Sequence, residues 1–382
     1  MMNNSAKTTW RKVKLGEVLE LKYGFGLPEK KRADGNVPVF GSSGIIGTHD
    51  KPAVKSQGII VGRKGHVGSI YYSEKPFFPI DTVYYVDQLK IPGNLKFFYY
   101  FLGRIPFQKI GSDVGVPGLN RDVAYGLEIS IPKDSAVQKR IADILSAFDD
   151  KIELNNKINR NLEQMAQATF KEWFVKNQKS KIKNQKLWKI GKIGDLVDII
   201  SGHPFSSKLY TLNKKSLGVV TIKNVQDGNF ITKCDSFIEK ENVPQNMNPE
   251  CRINDGDILL SLTGNVGRVC FVYSGEYLLN QRVAKLKPKS EKNRPFCYFL
   301  FRQTAMQNQL INMAKGSAQP NLSPVETAEI TLTIPPREIL DRFNEITEPI
   351  YRRLLQNAVE NQKLAALRDL LLPKLMSGEV KV

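Results

Sequence analysis

The sequence predicts a mixed α/β fold in which two similar globular domains are separated by two long helices that pack together as an antiparallel coiled coil. Three observations predict it. Two stretches, about 138–176 and about 338–372, place apolar residues at alternating spacings of four and three, which is the seam of helices that pack side by side. The segments before them contain short runs rich in Val, Ile, Tyr and Phe, punctuated by Gly, Pro and Asn. Motifs also recur in the same order in both halves, which indicates an internal pseudo-two-fold repeat.

Asparagines interrupt the predicted seam at matching places in the two long helices. A buried asparagine costs stability but fixes the register of paired helices, which favours two helices built to pair; the alternative is two unrelated core helices with asparagines by chance. The predicted seam consists of Phe148, Ile152, Asn155, Asn159 and Leu162, matched 202 positions later by Ile350, Leu354, Asn357, Asn361 and Leu364. Pro349 predicts a kink or break in the first turns of the second helix.

The repeat can be followed through the globular domains. Segments 10–24 and 188–202 align at an offset of 178 residues, and each is predicted to be a short helix closed by a glycine that permits a left-handed turn. Farther along, Gly65–Gly68 aligns with Gly264–Gly267 at an offset of 199. The same offset aligns Ile80-Asp81 with Leu279-Asn280, and an offset of 203 aligns Ile131-Pro132 with Ile334-Pro335.

These alignments give the predicted domain organisation. In chain order it is a first globular domain (1–134), a first long helix (135–178), a basic linker (179–187), a second globular domain (188–335), a second long helix (336–376) and a C-terminal tail (377–382). Each globular domain is expected to hold a strongly bent, largely antiparallel sheet.

Composition narrows the function classes. The chain has 382 residues and a net charge of +18, which suits a polyanionic partner, nucleic acid first and an anionic membrane surface second. The four cysteines lie in the second half without a close pair, so we expect neither a zinc site nor a disulfide framework, and a reducing cytoplasm. The apolar runs are too short to span a bilayer.

Signatures of catalysis are missing from the sequence. It contains no phosphate-binding Gly-x-x-x-x-Gly-Lys-Ser/Thr loop, no dinucleotide-binding glycine motif and no Asn/Asp-Pro-Pro-Tyr/Phe methyltransferase motif. Glu20 and Lys22 have a nuclease-like spacing, but nothing before Glu17 is acidic, so we expect no metal-binding partner before them. The three histidines also lack metal-ligand spacing. We therefore expect no intrinsic catalysis, no metal and no cofactor.

Candidate DNA contacts in the first domain lie on glycine-rich turns, where the backbone can approach another surface closely. Arg63, Lys64 and His66 follow a strand and could contact phosphates or guanine edges. The other candidates are Ser42 and Ser43 in a second glycine-rich loop and Asn120 and Arg121 before the first long helix. The alternatives are plain structural turns for both loops and a helix-entry turn for the last pair.

The second domain repeats the glycine framework with different polar residues. Thr263, Asn265 and Arg268 stand where the first domain has its basic loop, a pattern typical of one scaffold that presents two different base readers. Lys223 and Asn224 are predicted to form an exposed basic–amide pair at a strand end. The remaining candidates are Gln281, Arg282, Gln319 and Asn321; a salt bridge at the edge of the core is the alternative for Arg282.

Taken in order, these motifs resemble the specificity subunit of type I restriction–modification systems, over residues 10 to about 378. The motifs that carry the resemblance are Leu-Gly-Glu (15–17) and Ile-Gly-Asp (193–195), Gly-Ile-Ile-Gly (44–47), Gly-Arg-Lys-Gly (62–65), Gly-Asn-Val-Gly (264–267), and Ile-Ser-Ile-Pro (129–132) and Leu-Thr-Ile-Pro (332–335). The chain departs from the family at 133–135, where such proteins often carry a second proline.

The resemblance implies two target-recognition domains, each reading one half of a split, asymmetric double-stranded DNA site, and a helical pair that sets the unread spacer. About 39 helical residues span roughly 58 Å, enough to place domains over grooves about 34–36 Å apart. The family subunit performs no chemistry. It recruits two methyltransferase subunits, which use S-adenosylmethionine to methylate adenine, and nuclease/translocase subunits.

Two points of this interpretation stay open. Phe170 and Phe174 are predicted either to dock these partners or to pack in the core. The alternative function is a stand-alone sequence-specific DNA-binding scaffold or regulator without an enzyme partner; a fused nuclease or methyltransferase is disfavoured because its motifs are missing.

Overall fold

The computed structural model describes residues 9–110, 118–176, 188–316 and 320–382. It divides into two compact units. The first unit comprises residues 1–151 and 364–382, and the second comprises residues 152–363. Each unit therefore contains one globular domain, the beginning of the long helix that follows this domain and the end of the other long helix.

The first domain is built around short strands that are rich in Val, Ile, Tyr and Phe. Its strands are β1 (Trp10–Lys14), β2 (Lys22–Tyr23), β3 (Val37–Gly41), β4 (Gly44–His49), β5 (Gly58–Gly62), β6 (Ile70–Ser73), β7 (Phe78–Pro79), β8 (Val83–Val86) and β9 (Glu128–Pro132). Its helices are α1 (Leu15–Val18), α2 (Leu95–Leu102) and α3 (Arg121–Tyr125). The sheets have the orders β1-β9, β2-β8-β5-β6 and β4-β3-β7.

The core of the first domain lies between its central sheet and helix α2. Strand β5 is buried along its whole length, as expected for an apolar run that is covered on both faces. Asn94 caps helix α2, because its side chain accepts a hydrogen bond from Phe97 N at 2.9 Å. Such a cap satisfies one of the free amides of a first helical turn. Phe97 and Phe98 are fully buried.

The second domain repeats this arrangement and extends it. Its strands are β10 (Lys189–Lys192), β11 (Val197–Ser201), β12 (Leu217–Val220), β13 (Val225–Gln226), β14 (Asn229–Phe230), β15 (Phe237–Ile238), β16 (Arg252–Ile253), β17 (Ile258–Ser261), β18 (Val269–Phe271), β19 (Tyr277–Leu279), β20 (Val283–Pro288) and β21 (Thr331–Ile334). The long helix α4 (Ser135–Phe170) precedes this domain, whose helices are α5 (Arg294–Phe301), α6 (Thr304–Met313) and α7 (Pro324–Ala328); α8 (Arg337–Ser377) follows it. The sheets have the orders β10-β21, β11-β20-β17-β18, β15-β12-β19-β16 and β13-β14.

Matching backbone hydrogen bonds show the internal repeat. Leu119 N donates to Arg63 O at 2.9 Å in the first domain, and Leu322 N donates to Leu262 O at 2.8 Å in the second. The pairs β2–β8 and β11–β20 are also equivalent, because Tyr23 pairs with Tyr84 and Ser201 with Ala284. The predicted fold class of two similar mixed α/β domains with long helices is therefore confirmed.

Within the second unit the two long helices run antiparallel. The Asn155 amide donates to Glu360 Oε2 at 2.8 Å and to Asn361 Oδ1 at 2.9 Å. Four residues farther along α4, Asn159 Oδ1 accepts a hydrogen bond of 2.7 Å from the amide of Asn357, which lies four residues earlier on α8. Asn155 and Asn357 are buried.

The remaining seam residues are more exposed than these two asparagines, apart from Leu354, which is buried. Those that are half-buried are Phe148, Ile152, Asn159, Leu162, Ile350, Asn361 and Leu364. In the first unit the end of α8 packs on the first domain, where Leu375 and Met376 join its apolar core. The supercoil of the helical pair stays a prediction.

Three sequence expectations about the helices and turns are wrong wholly or in part. Helix α8 is continuous through Pro349, so the predicted break is wrong, and the predicted kink stays a prediction. The carbonyl that this proline leaves without a donor belongs to the exposed Glu345, where solvent can satisfy it. In segment 10–24 only Leu15–Val18 is helical, and Trp10–Lys14 is a strand because it pairs with Glu128–Pro132. Gly24 does not form a left-handed turn; a Cβ there would lie 1.9 Å from Ile80 O, so glycine allows a close approach.

One open alternative is decided, and one further expectation is wrong. Phe170 and Phe174 are core residues, since both rings pack on Phe296 at centroid distances of 5.4 Å and 5.1 Å. The isolated pairings join Phe25 to Ile80 and His203 to Asn280. Ile80 therefore corresponds to Asn280, one residue later than the sequence alignment placed it.

Candidate nucleic-acid interface

Five residues of the first domain form an arginine–tyrosine cluster, defined as Tyr23, Arg63, Tyr84, Arg121 and Tyr125. Both arginines lie against the Tyr23 ring, each with its guanidinium carbon 5.2 Å from the ring centroid. Arg63 also lies 5.8 Å from the Tyr84 centroid, and Arg121 lies 5.8 Å from that of Tyr125. Tyr23 is 51% exposed, so the cluster reaches the surface.

Backbone hydrogen bonds hold the predicted basic loop in place. The amides of Arg63 and Lys64 both donate to Thr82 O, at 2.9 Å and 3.1 Å. Lys64 and Gly118 form an isolated β-bridge, which brings the segment before α3 beside this loop. Asn120 caps α3 by accepting a hydrogen bond of 2.9 Å from Asp122 N. The structure therefore brings the candidates Arg63 and Lys64 next to the segment that carries Asn120 and Arg121. Asn120 also has the helix-entry role that was its alternative.

The second glycine-rich loop joins the same surface. Ser42 Oγ lies 3.5 Å from the amide nitrogen of His66, which donates to it, and Ser42 O accepts a hydrogen bond of 2.6 Å from Ser69 Oγ. Ser43, Lys64 and His66 are exposed. All the candidates of the first domain therefore belong to one contiguous group of loops, and their contact with DNA stays a prediction.

Tyr84 of the cluster stays neutral at physiological pH. Burial raises the pKa of Tyr84 to about 12, with a further contribution from the neighbouring Tyr23 hydroxyl. The Tyr84 hydroxyl donates to Leu119 O at 3.1 Å. The ring that supports Arg63 is thus tied to the segment that carries Arg121.

The equivalent loop of the second domain presents amides. Thr263 Oγ1 donates to Asn321 Oδ1 at 3.1 Å, and Thr263 itself is buried. Asn265, Gln281, Arg282 and Asn321 are exposed. Arg268 is half-buried and its guanidinium donates to Gln226. Gln319, the remaining candidate, lies outside the described residues.

The predicted exposed pair at Lys223 and Asn224 is wrong for its second member. Asn224 is only 2% exposed. Its Oδ1 accepts a hydrogen bond of 2.9 Å from Thr221 N, and its amide donates to Ile231 O at 2.7 Å. Asn224 therefore holds a turn together, whereas Lys223 is exposed and pairs with Asp235 at 2.8 Å.

Sequence reasoning missed helix α6 as part of this surface. The Gln307 amide donates to Gly267 O at 3.3 Å and to Asp227 Oδ1 at 2.7 Å. Beside this contact, an open cavity of about 440 Å³ is lined by the helix and by the glycine-rich loop, through residues that include Asn265, Arg268 and Asn308. The run Gln307-Asn308-Gln309 was the available signal. The exposed aromatic rings of Tyr23 and Phe25 were missed as well.

Metal ligands and reactive cysteines are other features that could form a site in the described residues. No group of three or more His, Cys, Asp or Glu among them could hold a metal ion. The four cysteines are free and buried, and burial raises the pKa of the Cys234 thiol to about 11. In the same parts of the chain, no helix is both long and apolar enough to cross a membrane.

Comparisons with known proteins agree with this geometry. Residues 7–164 and 185–367 match the family described as "Type I restriction modification DNA specificity domain". The chain is 26% identical over 331 residues to the type I restriction enzyme HindI specificity subunit of Haemophilus influenzae, covering 69% of this chain and 71% of the relative. It is 28% identical over 282 residues to the MjaIX specificity subunit of Methanocaldococcus jannaschii, covering 67% and 61%.

A solved structure shows the same fold. The crystal structure of a type I restriction–modification system S subunit from M. genitalium superposes with a TM-score of 0.60 at 19% identity, covering 98% of each chain. The family match spans most of both halves of the sequence, one segment for each domain. The chain therefore belongs to the type I restriction modification DNA specificity domain family.

Proposed function

We propose that this chain is the DNA specificity subunit of a type I restriction–modification complex, in which each domain reads one half of a bipartite, asymmetric site. The observation that carries the proposal is the repeated backbone framework with different side chains at its loops. Arg63 and Leu262 occupy equivalent positions, as do Leu119 and Leu322, because the same hydrogen bond joins each pair. Two domains with the same backbone framework but different side chains at the loops suit two half-sites of different sequence.

The charge of the chain supports binding to the DNA backbone. A net charge of +18 favours a polyanion, and phosphate contacts position a protein without reading sequence. Exposed basic groups such as Lys64 and Arg282 suit that role. The half-buried arginines and the amides beside them can make directed hydrogen bonds to base edges.

In this proposal the long helices set the length of the unread spacer between the two half-sites and bind the partner subunits. Each helix belongs to both units, so a change in their register alters the distance between the half-sites. The pairing of Asn155 with Asn361 and of Asn357 with Asn159 favours one register.

The chain itself is proposed to carry out no chemistry. Its relatives are named specificity subunits of restriction enzymes. Adenine methylation with S-adenosylmethionine is assigned to two bound methyltransferase subunits, and cleavage to nuclease/translocase subunits.

The test is co-expression with a type I methyltransferase subunit, followed by the mass of the purified complex and mapping of methylated adenines. We expect a complex with two methyltransferase copies and a split methylated motif. The chain expressed alone is the control and should leave DNA unmethylated. A monomer that ignores the methyltransferase but selects a DNA sequence would instead support the stand-alone DNA-binding function.

A further inference from the structure

We propose that the first domain reads a guanine with Arg63 and Arg121, and that Tyr23 is the positioning residue that orients both guanidinium groups. This inference rests on the proposed function, since it specifies the base that one half-site must contain. It also predicts that the second domain reads its half-site by different chemistry.

Arg63 is oriented but has donors to spare. Its Nε and Nη2 donate to Asp81 O at 3.2 Å and 2.6 Å, and its plane rests near the Tyr23 and Tyr84 rings. In the described parts of the chain, no protein acceptor engages Nη1 and no acidic side chain pairs with this arginine. An arginine fixed in this way loses little conformational entropy on binding, because its rotamer is already set.

Arg121 is even less satisfied. Its Nε is buried and has no hydrogen-bond partner in the described structure, and its guanidinium is held by the Tyr23 and Tyr125 rings. Among the described residues, these two cations therefore share one aromatic ring without a neutralising carboxylate. Such an arrangement favours a partner with several acceptors close together.

Guanine fits these donors better than phosphate does. Its major-groove edge carries two acceptors, O6 and N7, that match the planar fork of an arginine, and this is the commonest sequence-specific contact to DNA. A phosphate contact needs charge but not a fixed plane, and the exposed, unstacked Lys64 can supply it. The aromatic support of both arginines is therefore evidence for a base-directed role.

The second domain has none of this chemistry at the equivalent positions. Tyr23 and Tyr84 are replaced by Ser201 and Ala284 in the same strand register. Arg63 is replaced by Leu262. Tyr125 is replaced by Ala328, since each packs beside the equivalent glycine, Gly16 or Gly194. Residue 324, which corresponds to Arg121, is a proline.

The experiment is selection of bound duplexes by the methyltransferase complex from a library with two randomised segments. The variants are Arg121→Ala, Arg63→Ala, Tyr23→Leu and Tyr23→Phe. The control is Lys75→Ala, because this exposed lysine follows the far end of strand β6 from the cluster. Salt dependence of binding is measured for each variant on a selected duplex and on a scrambled one.

We expect the wild-type complex to select a guanine at one position of one half-site. Each arginine variant should lose that preference by about tenfold or more while keeping the other half-site, which also shows that the protein is folded. Tyr23→Leu should weaken the same position although both arginines remain, and Tyr23→Phe should restore it. Replacing the selected guanine by 7-deazaguanine, which lacks the N7 acceptor, should weaken wild-type binding but not that of the arginine variants.

Two outcomes would overturn the inference. One is a selected motif without guanine, or one that the arginine variants leave unchanged. The other is an equal loss of affinity on the selected and scrambled duplexes with a salt slope shallower by about 0.9 per arginine, which is the behaviour of phosphate contacts. A wild-type complex that selects no sequence at all would instead refute the proposed function.

Discussion

The first and second domains share a backbone framework and differ in almost everything attached to it. Equivalent amides and carbonyls bond in both, as at Leu119–Arg63 and Leu322–Leu262. At the surface, the first domain presents arginines on tyrosine rings, whereas the second presents amides beside helix α6. The framework is thus defined by main-chain bonds, which leaves the side chains at the loops free to differ without loss of the fold.

The domains also differ in how they are fixed to the long helices within their own units. In the second unit, Arg302 pairs with Glu163 of α4 at 2.6 Å, with side-chain exposures of only 11% and 16%. In the first unit, Arg368 of α8 pairs with Asp149 of α4 at exposures of 28% and 29%, and the Tyr100 hydroxyl donates to the same carboxylate at 2.5 Å. The Arg302–Glu163 pair of the second unit is therefore the more deeply buried of the two, and its loss should destabilise its unit more.

Alkaline pH should have the largest effect, and it should act on both units alike. Burial raises the pKa to about 12 for Tyr72 and Tyr84 in the first unit and for Tyr273 and Tyr277 in the second. The folded pKa values lie above the unfolded value of about 10. The stability that these buried, neutral tyrosines contribute is therefore present below pH 10 and is lost as pH rises through 12. Hydrogen exchange and tyrosine absorbance should show both units opening in that interval; one unit protected at pH 12 would contradict this.

Loss of the buried ion pair should separate the two units. Arg302→Met leaves the Glu163 carboxylate without its buried partner and should destabilise the second unit by about 3–5 kcal/mol. Arg368→Met should destabilise the first unit by only about 1 kcal/mol, because its pair is more exposed. Hydrogen exchange resolved by unit measures both. Glu163→Leu combined with Arg302→Met is the control and should recover much of the loss.

The two buried asparagines should behave alike. Asn155→Leu removes the amide that donates to Glu360 Oε2 and Asn361 Oδ1, and Asn357→Leu removes the amide that donates to Asn159 Oδ1. Each should cost about 1–2 kcal/mol, since an acceptor is left unpaired. Thermal unfolding of the two variants compares them directly. Clearly unequal losses would mean that the helical pair does not follow the repeat.

Helix α6 provides the smallest expected effect. Asn308 is exposed beside the cavity next to Asn265, and amide side chains suit adenine edges. Asn308→Ala should reduce selectivity in the half-site of the second domain by about tenfold without changing thermal stability. Duplex selection measures it, with the neighbouring exposed Thr304→Ala as control. A loss of selectivity in the half-site of the first domain would contradict the assignment of α6 to the DNA-contacting surface of the second domain.

The sequence was informative where the signal is local. The heptad pattern and the matched asparagines predicted the long helices, and the glycine motifs predicted which loops carry candidate contacts. It failed where distant segments decide the outcome. Trp10–Lys14 is a strand because a segment more than a hundred residues later pairs with it. Asn224 faces inward because the chain returns at Ile231 and Lys233 to accept its hydrogen bonds.

The arginine–tyrosine cluster could not be predicted for a related reason. Tyr23, Tyr84 and Tyr125 are far apart in the sequence, and only the strand register and helix α3 bring their rings to the two arginines. The one-residue error at Ile80 arose because the second domain gained a residue between β18 and β20, where no motif marks the position.

The most direct test of the account is the methylated motif of two reciprocal variants, His66→Asn and Asn265→His. These exposed residues are equivalent tips of the two glycine-rich loops. If each domain reads its own half-site on a shared framework, His66→Asn changes one half of the motif, Asn265→His changes the other, and the spacer is the same in both. A variant that alters both halves, or a pair that alters the same half, would contradict the account.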